Sequence, residues 1–145
     1  MKYKINYHNK RKLINNLKNS IYCRIQSSKI NGVGVYAIKD IPKNVNPFVT
    51  TTGCIKEDIV DIHEDELNNL HPNVKKLIKD FYHKENGYYG VPLSGLNNNN
   101  ISYYMNHSEK PNITHYVNNS CNMVLFKSLR KIKKGEELVI NYDNF

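Results

Sequence analysis

Tryptophan is absent from these 145 residues, and cysteine is scarce: Cys23, Cys54 and Cys121 are the full set. Their odd number and wide spacing, with no Cys-x-x-Cys pair, exclude a cysteine zinc cluster and a disulfide framework. Buried, idle thiols are the plain reading, and no metal is expected. Long apolar runs are missing too, so no membrane-spanning helix is expected. The opening residues, MKYKINYHNKRK, lack the apolar middle of a secretory signal, and the chain is read as intracellular. Acidic residues are outnumbered, 13 against 21 Lys and Arg, for a net charge of +8. That balance favours an acidic partner such as nucleic acid. Its weight is reduced because the lysines are spread along the chain and asparagine is abundant everywhere, as a compositional bias would make them. No internal repeat is visible.

A chain of this length suits one domain with a sizeable core that needs no staple. Residues 1–20 read as a basic N-terminal arm, in which Leu13, Ile14 and Leu17 at helical spacing predict a short amphipathic helix packed on the body. Residues 21–145 read as that body. IYCRIQSS alternates as a half-buried strand does. A Gly-x-Gly turn then precedes a strand through Val35 to Ile38, and NPFVTTTG is expected to form another up to Gly53. An insertion at about 55–96 changes character. It begins with an acidic cluster, Glu57 to Glu66, read as a solvated helix face or the border of a groove for a basic partner. Val74, Leu77, Ile78 and Phe81 follow at i, i+3, i+4 and i+7, the strongest helix signal in the chain. ITHYV, NMVLFKSLR and EELVINY are strand-like, and KKGE is a turn. Many short strands with one helical insertion predict a mainly β domain with an α-helical insert, not a doubly wound one.

Three motifs carry the chemistry. NGVGVY, Asn31 to Tyr36, opens a strand and not a helix, so it is no dinucleotide phosphate loop. YYMNHSEKPN, Tyr103 to Asn112, crowds Asn, His and Ser behind two aromatics and a Met. GEELVINY, Gly135 to Tyr142, is a turn and a strand ending in Tyr. Alone, each reads as a turn or a half-buried tyrosine. In this order and spacing they resemble the SET domain of protein-lysine methyltransferases. The match lies at Gly32, Gly34, Val35 and Ala37, then at Asn106, His107, Ser108, Pro111 and Asn112, and finally at Gly135, Glu136, Glu137, Leu138 and Tyr142. The resemblance covers about Cys23 to Phe145. It is to a minimal SET domain, since no cysteine-rich zinc segment follows Tyr142.

The resemblance implies a fold of small β-sheets around a pseudoknot, S-adenosyl-L-methionine as cofactor, and a target lysine threaded through a channel from the opposite face. It implies that Gly32, Val33, Gly34 and Val35 line the methionine end of the cofactor, largely through backbone. Asn106 and His107 would hold its other parts, with Tyr104 beside them, and Tyr142 would be the catalytic tyrosine next to the transferring methyl. Tyr36, Tyr104, Tyr116, Ile140 and Phe145 are the channel candidates. The residue types suit methyl transfer, an in-line displacement that depends on alignment more than on covalent help. An apolar channel beside a sulfonium disfavours a charged lysine, so no dedicated carboxylate base is required.

Three positions depart from the family pattern. The family's Arg ahead of the aromatic is Tyr103 here, the position two before the final tyrosine is Ile140, and a channel position often filled by Tyr is Thr51. The expected substrate is a basic protein tail, a histone's foremost, with a weak DNA or nucleosome contact through the basic arm. Action on a histone implies the nucleus or chromatin; otherwise the cytoplasm is expected. Two other readings stand beside this one. The first is a SET scaffold that has lost catalysis and serves as a chromatin or nucleic-acid binding module. The second is a methyltransferase of a non-histone protein.

Overall fold

A computed structural model describes residues 7–53, 57–120 and 123–145 of the chain. Cys54, Cys121 and the first six residues of the basic arm lie outside the described residues. Helix α1 (Tyr7–Asn19) leads into the hairpin β1 (Cys23–Ser27) and β2 (Val33–Ala37). Strand β3 (Ile59–His63), helix α2 (Pro72–Phe81), β4 (Lys84–Glu85) and β5 (Tyr88–Pro92) form the insertion. Then come β6 (Asn106–His107), the hairpin β7 (Ile113–Asn118) and β8 (Met123–Ser128), and finally β9 (Glu137–Ile140). The fold is thus mostly small β-sheets with two helices.

The C-terminal strand makes the decisive pairing. In the four-stranded sheet the order is β1-β2-β9-β6, so β9 runs antiparallel to β2 on one side and parallel to β6 on the other. Three stretches far apart in the chain thereby become neighbours: the glycine turn, Asn106-His107, and the run up to Tyr142. The sheet holds because its inward residues are apolar. Val35, Ile41, Ile113, Ile132 and Leu138 are fully buried, with Ala37, Met105 and Ile140 nearly so. Ser128 is polar yet fully buried among them; its hydroxyl donates to Pro42 O at 2.6 Å and accepts from Val45 N at 3.1 Å.

The insertion has its own core of Leu67, Ile78, Tyr82, Tyr89 and Val91. Its sheet has the order β3-β5-β4. Asn86 and Gly87, at φ 50° and 87°, close β4 onto β5 in the two-residue turn whose positive φ matches strand twist. Helix α2 starts at Pro72, and the His71 ring accepts from Asn73 N at 3.2 Å, satisfying one of the helix's free N–H groups. An aromatic edge joins the two cores, Phe81 against Tyr104 at 5.5 Å between ring centres, while Tyr82 meets Tyr103 at 5.7 Å within the insertion's core.

Three expectations are corrected. NPFVTTTG is not a strand; Asn46 Oδ1 accepts from Phe48 N, and Thr50 Oγ1 donates to Gly53 O, each at 2.9 Å. These local bonds hold the backbone in turns instead of a ladder. The acidic stretch is not a helix face, since it runs into strand β3 and a short 3-10 turn at Glu66–Asn69. Helix α2 forms where the period predicts it, with Ile78 buried and Val74 and Leu77 largely exposed. Helix α1 does not pack through its apolar stripe: Leu13, Ile14 and Leu17 are 47%, 40% and 55% exposed. It is attached by polar groups instead. Asn16 Nδ2 donates to Val49 O at 3.1 Å, and the Lys39 ammonium reaches the C-terminal carbonyls of Lys18 and Asn19. No helix among the described residues is long and apolar enough to cross a membrane.

Candidate active site

Asn106 is the first polar residue of the crowded motif, and β6 carries it beside the glycine turn. Its side chain is buried and its amide points inward, to Val33 O at 3.0 Å, Asn31 O at 3.3 Å and Glu137 Oε1 at 2.8 Å. Gly34 lies against the same pair. A Cβ there would stand 2.8 Å from Glu137 Cδ and 3.1 Å from Asn106 Nδ2, so a larger residue would displace the Glu137 carboxylate. Gly32, at φ 48°, has open space around it, and Val33 is exposed. The turn therefore has an inner face pinned by these bonds and an outer face exposed at Gly32 and Val33. Val35, expected to line the cofactor, is corrected: the whole residue is buried, paired with Ile25 on one side and Leu138 on the other, and it belongs to the core.

His107 and Tyr142 form the next layer. The His107 ring accepts from Tyr142 N through Nδ1 at 3.1 Å, and its Nε2 lies 3.1 Å from Glu109 Oε1. An acceptor Nδ1 leaves the proton on Nε2, so the neutral ring donates to Glu109 and both nitrogens are engaged. The Tyr142 hydroxyl donates to Met105 O at 2.6 Å. Burial pushes its pKa above the ordinary tyrosine value, so it remains a neutral phenol. Asn112, nearly fully buried, fixes the geometry from below: it donates to Glu137 O at 2.8 Å and accepts from Val139 N at 2.9 Å.

Tyr142 opens onto a cleft of about 950 Å³ between the knot of strands and the insertion. Met105, Ile140 and Phe126 form one side, and Tyr103, Tyr82 and the exposed face of β3 and β5 the other. Phe145 also lines it, stacked on His115 with ring centres 4.2 Å apart. The cleft's edge carries Glu57, Asp61, Asp80 and Glu85 with Lys79 and Lys84.

Of the channel candidates, Ile140 and Phe145 stand on this cleft; Tyr36, Tyr104 and Tyr116 do not. Strand period explains Tyr116: β7 turns His115 toward the cleft side, so Tyr116 faces away, with the Lys127 ammonium 5.9 Å from its ring centre. Tyr36 donates to Glu137 Oε2 at 2.8 Å, and Tyr104 packs between Phe81 and the main core. Thr51 lines a separate pocket against α1. Residues that the sequence reading did not assign to the site are Ser28, Phe126 and Glu137. Ser28 and Phe126 lie outside all three motifs. Glu137 was part of one, but nothing local marks its side chain as the meeting point of three segments. The Cys23 thiol is pushed by burial up to about 12, which keeps it protonated and unreactive.

The residues fit S-adenosylmethionine at the glycine turn. Gly32 and Val33 are exposed there, with no side chain at Gly32, Asn106 holds them from the buried side, and His107 follows it on β6. Comparison with known proteins bears on the same residues. The family model described as SET domain matches residues 32–143. The histone-lysine N-methyltransferase trr of Drosophila melanogaster is 29% identical over 128 residues, 86% of this chain. The chain spans 5% of that relative's length. Among solved structures, a Plasmodium falciparum protein described as a candidate histone methyltransferase has a TM-score of 0.52 at 22% identity, over 84% of this chain and 93% of that one. A humanized mutant of the Chaetomium thermophilum Polycomb Repressive Complex 2, bound to an inhibitor, has a TM-score of 0.54 at 24% identity, over 87% of this chain and 15% of that one. These two likenesses are of fold.

Proposed function

The chain belongs to the SET domain family, and from that premise we propose that it transfers a methyl group from S-adenosylmethionine to a lysine of a basic protein tail, a histone tail foremost. One observation carries the reading: the Tyr142 hydroxyl and the Met105 carbonyl meet at 2.6 Å at the base of an aromatic cleft, with the glycine turn held nearby by Asn106. The cofactor, when bound, supplies an electrophilic methyl on a sulfonium. The chain's part is to hold and align. The outer backbone at Gly32 and Val33, with Asn106 and His107, would bind the cofactor. The phenol and carbonyl oxygens offer acceptors for weak C–H···O contacts from a polarised methyl. A lysine of ordinary pKa about 10.4 must lose its proton before it attacks. The apolar and aromatic wall of Ile140, Phe126 and Tyr103 favours the neutral amine by desolvation.

The carboxylates at the cleft edge support a basic substrate. Such charges direct encounter and register more than they add affinity. A histone substrate implies action at chromatin; a non-histone basic protein implies the cytoplasm. Labelled S-adenosylmethionine with core histones tests the reading. Tyr142→Phe should cut turnover at least about tenfold, the loss of a contact made in the transition state, while cofactor affinity holds. An unchanged rate would remove Tyr142 from the mechanism. A second reading, a nucleic-acid or chromatin binding module, is favoured by α1, which carries Lys10, Arg11, Lys12 and Lys18 and no acidic residue. Salt-dependent DNA binding with no methyl transfer would support that reading instead.

A further inference from the structure

The Glu137 side chain lies where three separate segments converge. Ser28, just past β1, donates its hydroxyl to the carboxylate at 2.8 and 3.0 Å. Tyr36 on β2 donates at 2.8 Å, and Asn106 on β6 donates at 2.8 Å. Among the described residues Glu137 takes part in no ion pair, so these partners are all neutral. Hydrogen bonds to an ionised acceptor are roughly twice as strong as neutral ones. The glycine turn is closed by the same group of residues. Ser28 N donates to Gly32 O at 3.0 Å, the Ser28 hydroxyl accepts from Ile30 N at 2.9 Å, and Asn106 reaches the carbonyls of Asn31 and Val33. Gly34 is side-chain-free because the carboxylate occupies the place of its Cβ. The Glu137 backbone does separate work: its carbonyl accepts from Asn112 and keeps β9 in place. Changing the side chain therefore loosens the turn while the strand stays anchored.

We propose that Glu137, acting with Ser28, is a positioning residue that latches residues 28–34 in the conformation whose outer backbone meets the cofactor, and so sets cofactor affinity without touching the cofactor. The latch rests on the S-adenosylmethionine reading above. A glycine turn with a free outer face would otherwise sample many conformations, and each would lower the fraction competent to bind. The carboxylate grips the turn at its start, through Ser28, and stands opposite its end, at Gly34, where it also holds the Asn106 amide that reaches the same two places.

Two readouts on the full chain test it. In Glu137→Gln, amide exchange across residues 28–34 of the free protein should quicken about tenfold, and calorimetric affinity for S-adenosylmethionine should weaken by about the same factor, as expected for losing hydrogen bonds to a charged group. The KM for cofactor should rise with it, while kcat at saturating cofactor stays within about twofold, a split that general destabilisation does not produce. Ser28→Ala should show the same pair of effects at about threefold, and it carries the test should Glu137→Gln fail to fold. Unaltered exchange overturns the latch. Faster exchange with unaltered cofactor affinity overturns the positioning role. If the unmodified chain binds no S-adenosylmethionine, the functional reading fails, and the exchange measurement alone still decides whether Glu137 holds the turn.

Discussion

At the scale of single residues, buried polar side chains hold the site in shape. Asn106, Asn112 and Ser128 are each buried and hydrogen-bonded, and Asn112 and Ser128 bind backbone on two sides. Ser128→Ala leaves Val45 N and Pro42 O without their partner, so urea unfolding should show a loss of about 1–3 kcal/mol; an unchanged midpoint would mean water replaces the hydroxyl. Alkali should act on different groups. Burial raises Cys23 from 9.0 to about 12, and burial, then the charges of Tyr82 and Glu57, raises Tyr103 from 10.0 to about 12. Between those limits the folded chain keeps protons that the unfolded chain has released. The unfolded state binds fewer, so stability present below pH 9.0 is lost as pH rises toward about 12. Thermal melts across that range should fall steadily, and Tyr103→Phe should flatten the upper part; a level profile would contradict the buried ionisations. The motif residues Asn106, His107 and Tyr142 were legible in the sequence because their types and spacing are local. The role of Glu137 was not, since its partners Ser28 and Tyr36 lie 109 and 101 residues away.

At the scale of elements, the insertion shapes the candidate substrate groove. The residues of β3 and β5 that face the cleft include Ile59 and Asp61, Tyr88 and Gly90. The exposed carboxylates Asp61 and Glu85 take part in no ion pair among the described residues, unlike Asp80, which meets Lys76. Asp61→Asn with Glu85→Gln should raise KM for a basic tail peptide about threefold at low salt and far less at high salt, because exposed charges are screened. A salt-independent KM, or none of this rise, would take both carboxylates out of recognition. Helix α2 was readable from period alone. The insertion's sheet was half missed: the Asn86-Gly87 pair is a hairpin signal, but β4 is only two residues long and no alternation could announce it. In α1 the apolar stripe was read correctly as a helix and wrongly as its contact face, because polar bonds through Asn16 and Lys39 set its orientation.

At the scale of the whole molecule, two hydrophobic cores joined where Phe81 meets Tyr104 leave a cleft between them, and Met105 and Tyr142 line it. That arrangement follows from one topological fact, the seating of β9 between β2 and β6. Three ordered motifs revealed it in the sequence, while the aromatic joint stayed hidden because its partners belong to different cores. Tyr103, the departure from the family's Arg, packs with Phe81 and Tyr82 on the insertion's own core. The most direct measurement is mass spectrometry of core histones incubated with the chain and S-adenosylmethionine. The account predicts the mass of at least one added methyl group on a lysine, lost or sharply reduced with Tyr142→Phe. Histones left unmodified, together with no calorimetric binding of S-adenosylmethionine, would contradict it.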